Sequence, residues 1–107
     1  MKIGIVLSTN DPETVWNALR FGNASLLDGH DVGVFLLGKG VELGGIKDER
    51  FDIKRQVDLL VERDGKVMAC GTCLTLRKMK GSETCPTSTM TDLLALVKGS
   101  DRVLTFG

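Results

Sequence analysis

The sequence predicts an α/β domain in three layers: a mostly parallel sheet of four to five strands with helices on both faces. Three observations carry that expectation. Short apolar runs alternate with longer stretches whose apolar residues recur at helical spacing. The runs themselves are continuously apolar, as in strands covered on both faces, which is how parallel strands are buried. The 107 residues suit one domain, and with no linker, internal repeat or low-complexity segment the domain is expected to span residues 1–107.

The first run, Lys2 to Leu7, is broken only by Gly4 and reads as a buried strand. Asp11-Pro12-Glu13 then starts a helix. Asp11 serves as its N-cap, Pro12 fits the first helical position, and Glu13 faces the positive dipole end. Val15, Leu19, Gly22 and Leu26 form one face of that helix, and Asp28-Gly29 stops it. Asp31 to Leu37 is the second strand, followed by the Gly38-Lys39-Gly40 turn and a short helical turn at Val41-Glu42-Leu43. Ile53, Val57, Leu60 and Val61 place a second helix over residues 52–63, closed by Asp64-Gly65.

Lys66 to Ala69 is a short third strand that runs into Cys70-Gly71-Thr72-Cys73. Leu74 to Lys80 reads as a third helix whose basic end, Arg77, Lys78 and Lys80, suits its negative dipole terminus. Gly81 to Pro86 holds either a short strand around Glu83 to Cys85 or a loop. Ser88 or Thr89 caps a last helix through Leu93, Leu94, Leu96 and Val97, and Arg102 to Phe106 is the final strand. Strands alternating with helices build βαβ units, and hence a parallel sheet.

Composition narrows the functional classes. Apolar residues at 42% and charged residues at 26% argue for a folded globule rather than a disordered chain. Fourteen basic side chains balance fourteen acidic ones, so no overall charge draws the protein to nucleic acid or to an anionic membrane. Lys2 to Leu7 is too short for a signal-peptide core, and no apolar stretch approaches the roughly 18–20 residues of a membrane helix. The three cysteines cannot all pair within one chain, and a reducing cytoplasm is the expected setting.

In parallel sheets ligands collect beyond the carboxyl ends of the strands. Asn10, the Gly38-Lys39-Gly40 turn, Cys70 to Cys73 and Cys85 are all expected on that rim, with His30 on the opposite one. Cys70 stands where a buried strand meets a helix, so backbone N–H groups and the helix dipole favour its thiolate, the form that attacks sulfur electrophiles. Gly71 keeps bulk away from it. The competing reading of Cys70 is a small buried hydrophobe.

Cys73 completes C-G-T-C, a spacing that supports a reversible disulfide, or else it packs inward from a helix. Cys85 before Pro86 is a resolving thiol, a pocket wall or a turn residue. Cys70, Cys73, Cys85 and His30 make an incomplete zinc set, lacking a second Cys pair, and no metal or other cofactor is expected. Gly38-Lys39-Gly40 lacks the Walker pattern; Lys39 is either solvated or a positive group that attracts an anionic sulfur substrate. No nucleophile, histidine and acid are spaced for a hydrolase.

Four segments in order resemble the DsrE/DsrF-like family, which includes TusBCD-type sulfur-transfer proteins. They are K-I-G-I-V-L-S from Lys2, F-L-L-G-K-G-V-E-L from Phe35, V-M-A-C-G-T-C-L-T-L-R-K from Val67, and T-M-T-D-L-L-A-L-V-K-G-S-D-R-V-L-T-F from Thr89. The resemblance covers nearly the whole chain. It implies a homotrimer or homohexamer with a sulfur donor and an acceptor protein as partners. It also implies a persulfide on Cys70, and it does not require Cys73, which is an additional thiol. Their place on the rim makes Asn10, Lys39, Gly71, Thr72 and Cys85 the candidates around the substrate.

Three readings follow. The chain is a sulfur carrier working through Cys70, a thiol–disulfide oxidoreductase using Cys70 and Cys73, or a non-catalytic oligomeric binding subunit of the same fold. Fold membership alone does not choose among them.

Overall fold

The computed structural model describes residues 1–107. Five strands form one sheet: β1 (Lys2–Leu7), β2 (Asp31–Leu36), β3 (Lys66–Cys70), β4 (Thr87–Ser88) and β5 (Arg102–Phe106). Their order is β4-β3-β2-β1-β5, and every pairing is parallel. The helices are α1 (Pro12–Leu27), α2 (Ile53–Glu62), α3 (Gly71–Leu76) and α4 (Met90–Gly99), with a 3-10 segment at Gly38–Gly45. No helix is long and apolar enough to cross a membrane.

Local chemistry starts each long helix where the sequence predicts. The Asp11 carboxylate accepts the Thr14 N–H at 2.9 Å to cap α1, and Asp52 accepts the Arg55 N–H at 3.0 Å to cap α2. Of the two caps offered for α4, Thr89 is the one used. Its hydroxyl accepts the Asp92 N–H while the Asp92 carboxylate accepts the Thr89 N–H at 2.8 Å, a capping box.

Alternation along the strands sends two side-chain sets to opposite faces. Ile3, Ile5 and Leu7 of β1 align with Val32, Val34 and Leu36 of β2 and are buried under α1 and α2. Gly22 of α1 lies between Leu60 of α2 and the strand residues Ile5 and Val32, fixing the three layers on this side. The other face is covered by α4 alone. Gly4 and Gly33 are register partners in β1 and β2, and a Cβ on either would press against Leu96 of α4. These two glycines therefore let α4 lie close to the sheet.

One expectation needs correction. The third helix is not Leu74 to Lys80 but Gly71–Leu76. It begins earlier because the Cys70 sulfur accepts the Cys73 N–H and caps it, and it ends earlier because Lys78 takes a left-handed φ of 54°. The basic residues Arg77, Lys78 and Lys80 thus lie beyond the helix instead of complementing its dipole. Of the two readings offered for Gly81 to Pro86, the loop is found, and the fourth strand is Thr87–Ser88. It joins the edge of β3 by aligning Ala69 with Thr87 and Cys70 with Ser88.

Candidate functional site

The carboxyl ends of β1, β2 and β3 deliver the loop at Asn10, the Gly38 turn and Cys70 to one rim of the sheet. Gly38 starts the 3-10 segment with φ +54°, a conformation that costs glycine nothing. Two residues on, a Cβ at Gly40 would collide with the Leu7 carbonyl, so this turn lies directly on the end of β1. The backbone N–H of Gly38 then points across the rim and donates to the Cys73 sulfur at 3.2 Å.

Cys70 and Cys73 occupy unlike surroundings. Cys70 is 2% exposed, whereas Cys73 is only partly buried. A Cβ at Gly71 would meet the Thr87 methyl group at 3.1 Å, so β4 closes over the rim right beside Cys70. The Cys73 N–H donates to the Cys70 sulfur at 3.5 Å, within reach for a sulfur acceptor. The Cys73 side chain is near enough to act on the Cys70 thiol.

Burial pushes the Cys70 thiol above its ordinary pKa, and the Cys73 side chain acts in the same direction. The backbone N–H groups of Cys73 and Thr72 oppose this without prevailing. This corrects the expectation of a helix-stabilised thiolate at Cys70. A helix of six residues supplies too little to outweigh the desolvation of the charged sulfur. All three cysteines are free thiols.

A polar chain invisible in the sequence braces this rim. Glu42, in the 3-10 segment, accepts from Arg77 Nε at 2.6 Å and from Asn10 Nδ2 at 3.2 Å. Arg77 Nη1 in turn donates to the Cys73 carbonyl at 3.1 Å. Arg77 first, and Asn10 second, hold the Glu42 carboxyl below the usual glutamate range. Glu42 and Arg77 are 35 positions apart, and neither has a local pattern that announces the pairing. Asn10 therefore anchors Glu42 in this structure.

The remaining expected residues divide. Lys39 and Thr72 are exposed on the same rim, and the Lys39 charge reaches Glu42. Cys85 is set apart from the pair. It stands in the wall of a cavity of about 560 Å³ between the 3-10 segment, α2 and the loop that follows α3. Val41, Leu43 and Val57 line that cavity, and neither Cys70 nor Cys73 does. Burial raises the Cys85 thiol pKa, against the Thr84 and Ser82 hydroxyls. His30 bonds to Asp28 at 3.1 Å at the start of β2, on the opposite rim. No group of three or more His, Cys, Asp or Glu side chains is placed to hold a metal ion.

The chain is a parallel α/β sheet with two free thiols, Cys70 and Cys73, at its carboxyl rim. The chain belongs to the DsrE/DsrF-like family, whose model matches residues 1–106. It is 36% identical over 100 residues to the uncharacterized protein MJ0989 of Methanocaldococcus jannaschii, with 88% of each chain covered. It is 34% identical over 100 residues to the uncharacterized protein MK0008 of Methanopyrus kandleri, covering 88% of this chain and 83% of that one. Membership of the family suggests a role of the sulfur-relay type.

Proposed function

We propose that the protein is a sulfur carrier that holds sulfane sulfur as a persulfide on Cys70 and passes it to a thiol of a partner protein. The observation that carries this reading is the Cys70–Cys73 pair, two free thiols at the ligand-collecting rim of a DsrE-type sheet, with the Cys73 N–H donating to the Cys70 sulfur. A thiolate of the pair attacks the outer sulfur of a donor R–S–SH. The bond to R–S breaks, R–S⁻ leaves and takes up a proton, and the sulfur comes to rest as Cys70–S–SH. An acceptor thiolate attacks the same outer sulfur and restores Cys70. No net oxidation occurs, so neither oxidant nor reductant is consumed. The low exposure of Cys70 suits storage, because a persulfide there is shielded from stray thiols.

The same reading includes self-assembly into a trimer or hexamer. Met90, Leu94 and Val97 of α4 and Val103 of β5 are all well exposed, and a second copy packed on α4 would cover them. Three free thiols suit a reducing cytoplasm.

Incubation with glutathione persulfide followed by intact mass measurement tests the carrier reading. The wild-type protein is expected to gain about 32 Da, one sulfur atom, and to keep it through a chase with excess glutathione. Cys70→Ser is expected to retain nothing after the chase. Retention equal to wild type in that variant rules out Cys70 as the store.

One observation favours a second reading. The C-G-T-C spacing, with the Cys73 N–H donating to the Cys70 sulfur at 3.5 Å, also suits a thiol–disulfide oxidoreductase, which would give a Cys70–Cys73 disulfide under mild oxidation.

A further inference from the structure

The two thiols differ in what can reach them. Cys70, the proposed store, is 2% exposed and stands at the end of β3 in register with Ser88 of β4. Cys73 is partly exposed, and its sulfur accepts the Gly38 N–H at 3.2 Å. A backbone donor aimed at a sulfur fixes its position on the rim. Arg77 fixes the Cys73 backbone by donating to its carbonyl, and Glu42 and Asn10 hold Arg77 in turn. The rigid, donor-supplied and accessible sulfur is therefore the second of the C-G-T-C pair.

We propose that Cys73 is the receiving thiol: it takes sulfane sulfur from the donor and hands it inward to Cys70. The proposal rests on the carrier reading and adds a direction and a second catalytic residue to it. In the first step the Cys73 thiolate attacks the outer sulfur of R–S–SH, forming Cys73–S–SH and releasing R–S⁻, which is protonated. In the second step Cys70 gives up its proton and attacks that same outer sulfur. The S–S bond at Cys73 breaks, Cys73 leaves as a thiolate and Cys70–S–SH forms. Sulfur and proton change places between two neighbouring residues, with no change in the oxidation level of the system. Attack on the inner sulfur of Cys73 would instead expel HS⁻ and leave a Cys70–Cys73 disulfide.

Burial works for the second step as it works against the first. A donor molecule must approach in line with the S–S bond it gives up, and a sulfur that is nearly covered offers no such approach. A persulfide formed next door needs no approach path at all. The raised pKa of Cys70 fits a thiol that stays protonated until its neighbour carries the electrophilic sulfur.

The test uses the intact chain and glutathione persulfide as the donor. Alkylation of the native wild-type protein with iodoacetamide, mapped by peptide mass, is expected to modify Cys73 at least about tenfold faster than Cys70. Cys73→Ser is expected to load sulfur at least about tenfold more slowly than wild type, because the donor must then reach the buried thiol. Cys70→Ser is expected to load at the wild-type rate, with the sulfur on Cys73, and to lose it in the glutathione chase. Faster alkylation of Cys70, wild-type loading by Cys73→Ser, or no loading by a folded Cys70→Ser would each overturn the order proposed here while leaving Cys70 as the store. Release of sulfide with a disulfide as the main product would overturn the handover. Failure of the wild-type protein to load any sulfur would remove the carrier reading itself.

Discussion

The two faces of the sheet are built to different standards. Under α1 and α2, Ile5, Leu7, Val34, Leu19 and Leu60 are each fully buried. On the other face α4 has no buried residue, and Met90 and Leu94 are each 57% exposed. The closed face holds most of the apolar area whose removal from water stabilises the fold. The open face leaves α4 exposed, and Cys70 is one of the β3 positions that alternate toward it. Under the proposed assembly a second copy would cover this face, so a substitution on either side has a characteristic readout.

The largest stability effect is expected on the closed face. Leu60→Ala removes a fully buried side chain packed against Gly22 and Gly65, and is expected to cost about 2–5 kcal/mol in urea unfolding. A cost below about 1 kcal/mol would mean that this face is not the principal core.

On the open face the expected loss is of assembly. The wild-type protein should sediment well above the 11.6 kDa of one chain, and Leu94→Glu should bring it toward that mass by placing a charge in the covered patch. A wild-type protein that stays monomeric at all concentrations would leave the exposed apolar residues of α4 without the role assigned to them.

The smallest effect belongs to the polar chain along the rim. Because Arg77 depresses the Glu42 pKa, the folded state binds that proton less readily than the unfolded state. The contribution of Glu42 is therefore present above its unfolded pKa of about 4.3 and is lost as pH falls through the lower, folded value. Glu42 lies at the surface, where solvent screens the pair, so a small difference between wild type and Glu42→Gln is expected at pH 7. It should vanish near pH 3. A difference that persists in acid would assign the effect to something other than the carboxylate charge.

Legibility followed the range of the interactions. Buried strands, the Asp11 and Thr89 caps and the thiol pair after β3 are written in adjacent or near-adjacent residues, and all were readable. Asn10, Lys39, Gly71 and Thr72 reached the rim for the same reason, since the ends of parallel strands are set by topology.

What the sequence hid depends on distant partners. The Glu42–Arg77 pair spans 35 positions, and the burial of Cys70 needs Thr87 and Ser88 to fold beside it. A local reading sees a sulfur at the start of a helix and infers a thiolate. It does not see the chain that later closes over that sulfur and reverses the inference. Cys85 sits on the expected rim, yet it faces the cavity beside α2, away from the pair.

The central claim is that sulfur taken up by this chain resides on Cys70. The direct measurement is tandem mass spectrometry of wild-type protein loaded with glutathione persulfide, chased with glutathione and then alkylated. One added sulfur, about 32 Da, is expected on the Cys70 sulfur, located by the fragments of its peptide, with Cys73 alkylated as a plain thiol. An unmodified Cys70 in every molecule, with the protein either unchanged or about 2 Da lighter as a Cys70–Cys73 disulfide, would contradict it.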